Sequence, residues 1–435
     1  MKKETRFQAL IRSELVINTS ILISGTVLAQ LIPILLRLVL SRGFFTPEMW
    51  GAYSVYISLI GMLVIISSFK YELAIILPRK DNVAANVLFL ALLLNLLFNL
   101  LLFLVIILFK SSIIKFLNLS IEYGDYLYFV PLGTFLYSTY QSINFWLVRK
   151  KKFIPISINK FVRRGFEGAS QITFKFAKIP FGLIYGDLIG NFANICSGIY
   201  QGTKSGLSLR LFSPGMIKKV IIKYSEYPKY NVVPSFMSAC SFLLPAILVN
   251  KYYNSEYAGY LDFSKMLLSI PLALVATSLS SVLLQRVSEM YRNNQSIKKE
   301  LISVFLLVLS IAIAEILLIS LFGVSIFKVI FGDKWEYSGV ISKILVWSYA
   351  LNFCAATFSF IFISMNRIKT LSAWQLFYFA SILSLFFFKN LVFNDFLKVF
   401  VLIDVICSVV SLILMAVIIF RYEEKVSILN NIKNS

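Results

Sequence analysis

The sequence predicts an all-α polytopic membrane protein, and three observations support this fold class. Of its 435 residues, 58% are hydrophobic and only 14% are charged, whereas soluble proteins carry roughly a quarter charged residues. The hydrophobic residues are grouped in runs of about 20 or more, the length that a helix needs to cross a hydrocarbon layer of about 30 Å. The Lys and Arg residues lie mainly between alternate runs. A soluble globular fold is therefore excluded.

These runs predict about twelve transmembrane helices. Their predicted bounds are 15–40, 50–70, 83–109, 125–148, 153–177, 181–202, 230–250, 257–284, 300–322, 339–363, 370–388 and 397–420. The first run is longer than the apolar segment of a signal peptide and has no small-residue cleavage site. We therefore expect it to be retained as a span.

The net charge of +21 is explained by membrane topology. Most of the 42 Lys and Arg residues lie in the N-terminal tail and in every second loop, and far fewer lie in the opposite loops. Cytoplasmic loops carry an excess of Lys and Arg, so both termini are expected in the cytoplasm. This distribution leaves no support for nucleic-acid binding.

The chain has few of the residues that catalysis and metal binding require. It contains no His, which removes the commonest general base and the most frequent metal ligand. Cys196, Cys240, Cys354 and Cys407 are isolated within apolar runs, as small packing residues are. No nucleotide-binding GxxxxGK[ST] loop is present. We therefore expect no enzyme activity, no metal and no cofactor.

The two halves of the chain share a pattern. A Pro lies inside the first span (Pro33) and inside the seventh (Pro245), and a Glu-x-x-Gly sequence opens the following helix at Gly51 and at Gly259. Repeats of this kind are typical of transporters, whose substrate path lies between the halves. The predicted domains are an N-terminal six-helix lobe at 1–202, a linker at 203–229 and a C-terminal six-helix lobe at 230–435.

The linker is predicted to be a cytoplasmic amphipathic helix. Phe212, Met216, Val220 and Tyr224 recur at intervals of four, and lysines lie between them. Such a helix is expected to lie on the inner leaflet and to join the two halves.

The fifth predicted span carries ionisable residues, which are costly inside a bilayer and usually face a cavity or one another. The polar positions are Lys160, Arg163, Arg164, Glu167, Gln171 and Lys175. On a helix they share one arc of roughly 120°. We interpret this stripe as the lining of a water-filled, mostly cationic substrate cavity. The alternative is a structural network in which Glu167 pairs with Arg163 or Arg164.

Other intramembrane charges are further candidates. Asp262 and Lys265 share a face of the eighth span and either extend the substrate cavity or form a plain pair three residues apart. Glu315, Asp187 and Asp404 are candidates for ion or proton coupling, because burial favours the protonated form of a carboxyl group. Asp187 and Asp404 can equally be wetted helix ends.

Four prolines interrupt predicted spans, at Pro33, Pro234, Pro245 and Pro271. Proline removes one helical hydrogen bond and often kinks a helix. These positions are candidate hinges, although helix packing alone also explains them.

Six segments occur in an order that spans nearly the whole chain. They are 71–78 (YELAIILP), 131–133 with 146–153 (PLG and WLVRKKKF), 227–235 (YPKYNVVPS), 269–272 (SIPL), 285–289 (QRVSE) and 331–335 (FGDKW). The ordered set resembles the polysaccharide flippases of the multidrug/oligosaccharidyl-lipid/polysaccharide (MOP) exporter superfamily, which include O-antigen flippases.

The resemblance implies two six-helix lobes around a central cavity, in the cytoplasmic (inner) membrane of a bacterium. It also implies a substrate, a polyprenyl-pyrophosphate-linked oligosaccharide that is turned from the cytoplasmic to the outer leaflet by alternating access, driven by an ion or proton gradient. Membrane lipids, a polysaccharide polymerase and a chain-length regulator are the expected partners. Arg and Lys side chains suit this substrate because they bind phosphate through charge-assisted hydrogen bonds.

Two other functions remain open from the sequence. A cation-coupled drug or small-molecule antiporter of the same superfamily is expected to have an acidic cavity, which the basic stripe argues against. A membrane-embedded polysaccharide polymerase or glycosyltransferase is expected to have a large outer loop or a clustered acid and base. Neither feature is visible.

Overall fold

A computed structural model describes residues 32–119 and 121–434. The chain divides into two compact units, Met1–Ala239 with Asn254–Gly259, and Cys240–Tyr253 with Tyr260–Ser435. All regular secondary structure of the described residues is helical. The prediction of an all-α polytopic membrane protein is confirmed for the described residues, and their helices are consistent with about twelve spans. Most of the first predicted span, residues 15–31, lies outside the described residues.

The helices up to the linker belong to the first unit. They are α1 (32–40), α2 (Pro47–Ser67), α3 (Asp81–Leu117), α4 (Phe129–Arg149), α5 (Phe153–Phe176), α6 (Gly182–Lys204) and α7 (Pro214–Lys223). Helix α4 packs against α2, α3 and α6, and α6 packs against α5. Short 3₁₀ helices follow α2 (Tyr71–Ile76) and α3 (Ile121–Tyr128).

The remaining helices form the second unit, except that α8 and α9 begin in the first. They are α8 (Glu226–Tyr252), α9 (Ser255–Arg292), α10 (Lys298–Phe331), α11 (Glu336–Phe358), α12 (Phe360–Ser364), α13 (Ile368–Leu383) and α14 (Phe393–Asn434). Helix α11 packs against α10 and α14, and α13 packs against α14. The domain boundaries 1–202, 203–229 and 230–435 stay a prediction.

Long helices expose apolar side chains where a soluble protein would present polar ones. Leu101 and Leu108 on α3 are 60% and 65% exposed, and Leu321 on α10 is 67% exposed. In the described part of the chain, eight helical stretches are long and apolar enough to cross a membrane. Helices α4, α5 and α6 are 21 to 24 residues long but carry more polar side chains.

Helix α7 forms where the sequence predicts an amphipathic helix. Pro214 occupies its first turn, a position that needs no backbone N–H donor. Val220 and Tyr224 are buried in an apolar cluster of the first unit that includes Trp146, whereas Ile222 is 69% exposed. The Asn86 amide of α3 donates to the Leu211 carbonyl (2.7 Å) and accepts from the Ser213 amide (2.8 Å). The linker is thus attached to the first unit, and its place on the inner leaflet stays a prediction.

Candidate functional site

The polar stripe of the fifth predicted span lies on α5. Glu167 and Gln171 are buried, and the Gln171 amide donates to the Leu183 carbonyl at 3.1 Å. Lys175 donates to the Val39 carbonyl at 2.6 Å, beside the end of α1. On the opposite face, Phe166 is 55% exposed. The helix therefore turns its polar face inward and its apolar face outward, as a helix does when its surroundings are lipid.

Arg163 forms an ion pair with Asp187 of the neighbouring helix α6. Its Nη2 lies 3.3 Å from Asp187 Oδ1, and the two side chains are 18% and 2% exposed. The guanidinium also lies 5.0 Å from the centre of the Tyr137 ring on α4, within the range of a cation–π contact. Three helices therefore meet at this guanidinium.

A second ion pair lies within α5, between Arg164 and Glu167 on the next turn. Arg164 Nη1 lies 2.7 Å from Glu167 Oε2, and the Tyr53 hydroxyl of α2 donates to Glu167 Oε1 at 3.4 Å. The local pairing of Arg164 with Glu167 was one of the two sequence-based interpretations. The sequence did not reveal that Asp187 brings a second carboxylate, so each of the two arginines is held by its own acidic partner.

Glycines on α6 explain why Asp187 reaches Arg163. Gly182, Gly186 and Gly190 recur at every fourth position, a pattern that lets two helices approach closely. A Cβ at Gly190 would lie 2.7 Å from Glu167 Cβ and 2.8 Å from the Arg163 carbonyl, and a Cβ at Gly186 would lie 2.3 Å from Gln171 Cγ. Only glycine fits these contacts. This small-residue repeat is the sequence signal that could have placed Asp187 beside α5.

Several buried polar atoms around this cluster have no hydrogen-bond partner among the described residues. They are Arg163 Nε on α5 and the Asn191 and Asn194 side-chain oxygens on α6. Buried polar atoms are nearly always paired with protein, water or a ligand. The Arg163–Glu167 region of the first unit, hereafter the arginine cluster, therefore has hydrogen-bonding capacity left for water or a bound polar molecule.

A smaller polar cluster lies in the second unit. Lys265 on α9 is 8% exposed, donates to the Phe242 carbonyl at 3.2 Å and lies 4.8 Å from the centre of the Phe242 ring. It interacts electrostatically with Asp262 and with Asp404 of α14. The Tyr378 hydroxyl of α13 donates to Asp404 at 2.7 Å. The sequence paired Lys265 with Asp262, and the structure adds Asp404.

Glu315 lies on α10 and belongs to neither cluster. Its Oε2 atom is buried and has no hydrogen-bond partner among the described residues. The roles of Glu315, Asp187 and Asp404 in ion or proton coupling stay predictions, as do the substrate-cavity roles of Lys160, Asp262 and Lys265.

The comparison with protein families identifies the group to which the chain belongs. Residues 39–340 match the family described as "Polysaccharide biosynthesis protein", which is well over half of the chain. The chain belongs to this family.

Solved structures show which fold the family member has. A multidrug resistance MATE family transporter of the MOP superfamily, in an inward-facing conformation, has a TM-score of 0.72 at 13% identity, over 91% of this chain and 96% of that one. A MOP superfamily transporter from Pyrococcus furiosus has a TM-score of 0.62 at 15% identity, over 97% and 100% of the two chains. The MATE multidrug transporter DinF-BH has a TM-score of 0.63 at 15% identity, also over 97% and 100%. No curated protein sequence matches the chain. The resemblance to a polysaccharide family is confirmed by the family match, and the chain has the fold of these MOP superfamily transporters.

The segments that carried the resemblance have structural roles in this family member. Arg149, from the second of them, binds the carbonyls of Ile76 and Arg79 at 3.2 Å, the carbonyl of Pro78, and the Asp81 carboxylate at 3.1 Å. Lys150 pairs with the same carboxylate. Arg149 of the second segment thus holds the loop that follows the first segment. This set of hydrogen bonds is hereafter called the Arg149 clamp.

A later segment ends α10. Gly332 has a φ of 102°, which L side chains rarely adopt, and it turns the chain into the 3₁₀ helix Asp333–Trp335. The buried Trp335 ring stacks on Phe263 with centroids 3.9 Å apart. These residues fix helix ends and lie outside both polar clusters.

Three of the candidate hinges lie inside continuous helices: Pro234 and Pro245 in α8, and Pro271 in α9. Pro33 is the second described residue of α1. A non-helical backbone conformation inside α3 occurs instead at Phe109, with φ −119° and ψ 18°, where the sequence contains no proline. The hinge roles of the four prolines stay predictions.

Proposed function

We propose that the protein is a flippase for a polyprenyl-pyrophosphate-linked oligosaccharide, a repeat unit of O-antigen, capsule or exopolysaccharide. It moves this lipid from the cytoplasmic to the outer leaflet of a bacterial cytoplasmic (inner) membrane by alternating access, with both termini in the cytoplasm. Membership of a polysaccharide biosynthesis family and the fold of MOP superfamily transporters support this assignment.

The arginine cluster is the observation that carries the proposal. Ionisable groups inside a span are costly and usually functional, and here two guanidinium groups lie on the inward face of one helix. Arg binds phosphate oxygens through paired, charge-assisted hydrogen bonds. A pyrophosphate is the part of the substrate that such groups recognise, while the polyprenyl tail stays in lipid.

The carboxylates of the cluster give this binding a means of release. In the structure Asp187 and Glu167 form ion pairs with Arg163 and Arg164, so a pyrophosphate that binds the arginines has to displace the two carboxylates. A displaced carboxylate in a low-dielectric site favours protonation or a cation. Exchange between substrate and carboxylate at the same arginine therefore links transport to an ion or proton gradient, and Asp404 and Glu315 are further candidates for that coupling.

The proposal is tested by replacing Arg163 or Arg164 with Ala and measuring transport of lipid-linked oligosaccharide. We expect transport to be lost while the protein still inserts into the membrane. Phe166→Ala on the outward face of α5 is the control and is expected to retain transport. Full activity of both arginine variants would contradict the proposed role of the cluster.

A cation-coupled drug antiporter is the second candidate function. Solved structures with this fold include multidrug transporters, and the buried carboxylates of Asp187 and Glu167 could bind a cationic drug once freed from arginine. The two functions require ligands of opposite charge, an anionic pyrophosphate for the flippase and a cationic drug for the antiporter. Protection from cationic drugs, together with unchanged surface polysaccharide after gene deletion, would favour the antiporter.

A further inference from the structure

A basic cavity lies at one end of the second unit, away from its Lys265–Asp404 cluster. Its volume is about 330 Å³. Four cationic side chains line it: Arg292, Arg367, Arg421 and Lys425. They come from three segments of the chain, namely the end of α9, the start of α13 and the last turns of α14. We call this the basic cavity.

The floor of the basic cavity is apolar and aromatic. Tyr422 and Met365 are 7% and 3% exposed, and the Tyr422 ring lies 5.1 Å from the Tyr291 ring. The Tyr422 hydroxyl donates to the Gln295 carbonyl at 2.9 Å, which ties α14 to the turn after α9. The four cationic side chains therefore surround closely packed, mostly buried residues.

Tight turns hold two of the cations in place. Asn294, two residues after Arg292, has a φ of 51°, and Asn366, directly before Arg367, has a φ of 54°. The Arg367 amide donates to the Phe362 carbonyl at 2.7 Å. Arg421 and Lys425 are four residues apart on α14 and therefore share one face. The site is thus built on fixed backbone.

None of the four cations forms an ion pair with any residue that the structure describes, and no carboxylate lines the basic cavity. The nearby Glu423 is committed elsewhere, because it accepts hydrogen bonds from Ser296 and from the amides of Ile297 and Lys298. Topology alone explains basic loops but not their convergence on one cavity. Like charges in a concave site concentrate the field and attract an anion.

We propose that the basic cavity is a binding site for a phosphate-bearing anion. Guanidinium groups match phosphate oxygens in charge and geometry, and the volume corresponds to a small ligand pocket of about 300 Å³, enough for a diphosphate or a lipid headgroup but not for an oligosaccharide. Arg421 directly follows the apolar part of α14, so we expect the site at the membrane surface, where lipid phosphates lie. Binding itself does not depend on the proposed flippase function; only the assignment of the diphosphate of a lipid-linked sugar as the ligand rests on it.

Calorimetric titration of the full-length protein in detergent with inorganic pyrophosphate tests the site. Every variant keeps the arginine cluster unchanged, so that differences in affinity between the variants report on the basic cavity alone. We expect the Arg367→Gln/Arg421→Gln variant to bind at least about tenfold more weakly, which corresponds to about 1.4 kcal/mol. The matched control, Lys299→Gln/Lys369→Gln, removes two exposed cations that do not line the cavity and is expected to bind within about twofold of the protein with no substitution.

Equal affinity of the cavity variant and the control would overturn the proposal. All four cations are exposed, so replacing one of them is expected to leave folding intact. If the double variant does not fold, the single variants Arg421→Gln and Lys425→Gln are titrated in its place. Each is expected to weaken binding measurably, and unchanged affinity in both would again overturn the site.

Competition identifies the source of the phosphate. Displacement of pyrophosphate by a polyprenyl diphosphate, and not by phosphatidylglycerol, assigns the site to the lipid carrier. Displacement by phosphatidylglycerol and not by phosphatidylcholine assigns it to a phospholipid headgroup. If the protein with no substitution binds pyrophosphate at the cavity but does not transport lipid-linked oligosaccharide, the flippase function is contradicted and the site remains. Transport without pyrophosphate binding at the cavity would remove the site alone.

Discussion

Arg163 of α5 donates to Asp187 of α6 across 3.3 Å, and both side chains are largely shielded from solvent. The contact depends on the glycines of α6, which bring its backbone against Arg163, Glu167 and Gln171. The pair holds two helices together and keeps a guanidinium inside the first unit. The same contact can therefore serve structure, transport or both, and the two roles are separable by mutation.

Combined replacement separates the structural from the functional role of this pair. Arg163→Ala leaves Asp187 buried without its cation, which costs about 3–5 kcal/mol of stability. Arg163→Ala/Asp187→Ala removes both charges and is expected to recover most of that loss in a thermal unfolding measurement. Because both variants lack the Arg163 guanidinium, transport is expected to stay absent in both. Recovery of transport in the double variant would show that the pair has only a structural role.

Close packing of α5 on α6 gives a second prediction. A Cβ at Gly190 would lie 2.7 Å from Glu167 Cβ, whereas a Cβ at Gly165 on α5 would meet nothing within 4 Å. Gly190→Ala is expected to lower stability by about 1–3 kcal/mol through overpacking. Gly165→Ala is expected to be neutral or to stabilise by up to about 1 kcal/mol, because Ala favours helix. Equal melting temperatures of the two variants would contradict the described contact.

The Arg149 clamp gives a third prediction. Arg149→Gln removes the guanidinium that joins the Ile76 and Arg79 carbonyls to the Asp81 carboxylate. A loss of about 1 kcal/mol raises the open fraction of this loop about fivefold. Limited trypsin digestion after Arg79 and Lys80 is therefore expected to accelerate by that factor. Lys152→Gln, at an exposed position just beyond α4, is the control, and the same acceleration in it would argue against the clamp.

Capping of α10 gives a fourth prediction. Glu423 of α14 accepts from the Ile297 amide at 2.7 Å, the Lys298 amide at 3.1 Å and the Ser296 hydroxyl at 2.7 Å. Glu423→Gln keeps the shape but removes the negative charge at a helix N-terminus, which costs about 1 kcal/mol. The melting temperature is expected to fall in this variant and to stay unchanged in Glu424→Gln. A fall of equal size in both would show that net charge, not capping, is responsible.

The sequence predicted the helices well because the signal for a span is local. A run of apolar residues has to cross the bilayer wherever it occurs, and the polar stripe of α5 follows from helical periodicity alone. For the same reason the pairing of Arg164 with Glu167, three residues apart, was among the sequence-based interpretations. Each of these features is encoded within a single helix.

Contacts between helices were not predicted, because their partners lie far apart in the sequence. Asp187 is 24 residues from Arg163, and the glycine repeat of α6 is a signal in the sequence that could have indicated their approach. Arg149 and Asp81 are 68 residues apart, so the segments that marked the family gave no hint that they bind each other. The non-helical backbone at Phe109 in α3 was not predicted, because no proline or glycine lies at this position. The convergence of three basic segments on one cavity likewise required the fold.

Flippase activity is measured by the leaflet distribution of lipid-linked oligosaccharide. Proteoliposomes are reconstituted with the protein and a fluorescent polyprenyl-pyrophosphate-linked oligosaccharide, and a membrane-impermeant reagent reports the fraction that remains accessible outside. We expect the accessible fraction to change with time in the presence of an ion or proton gradient, and we expect Arg163→Ala to stop this change. A wild-type protein that leaves the distribution as slow as in protein-free liposomes, under every gradient, would contradict the flippase function.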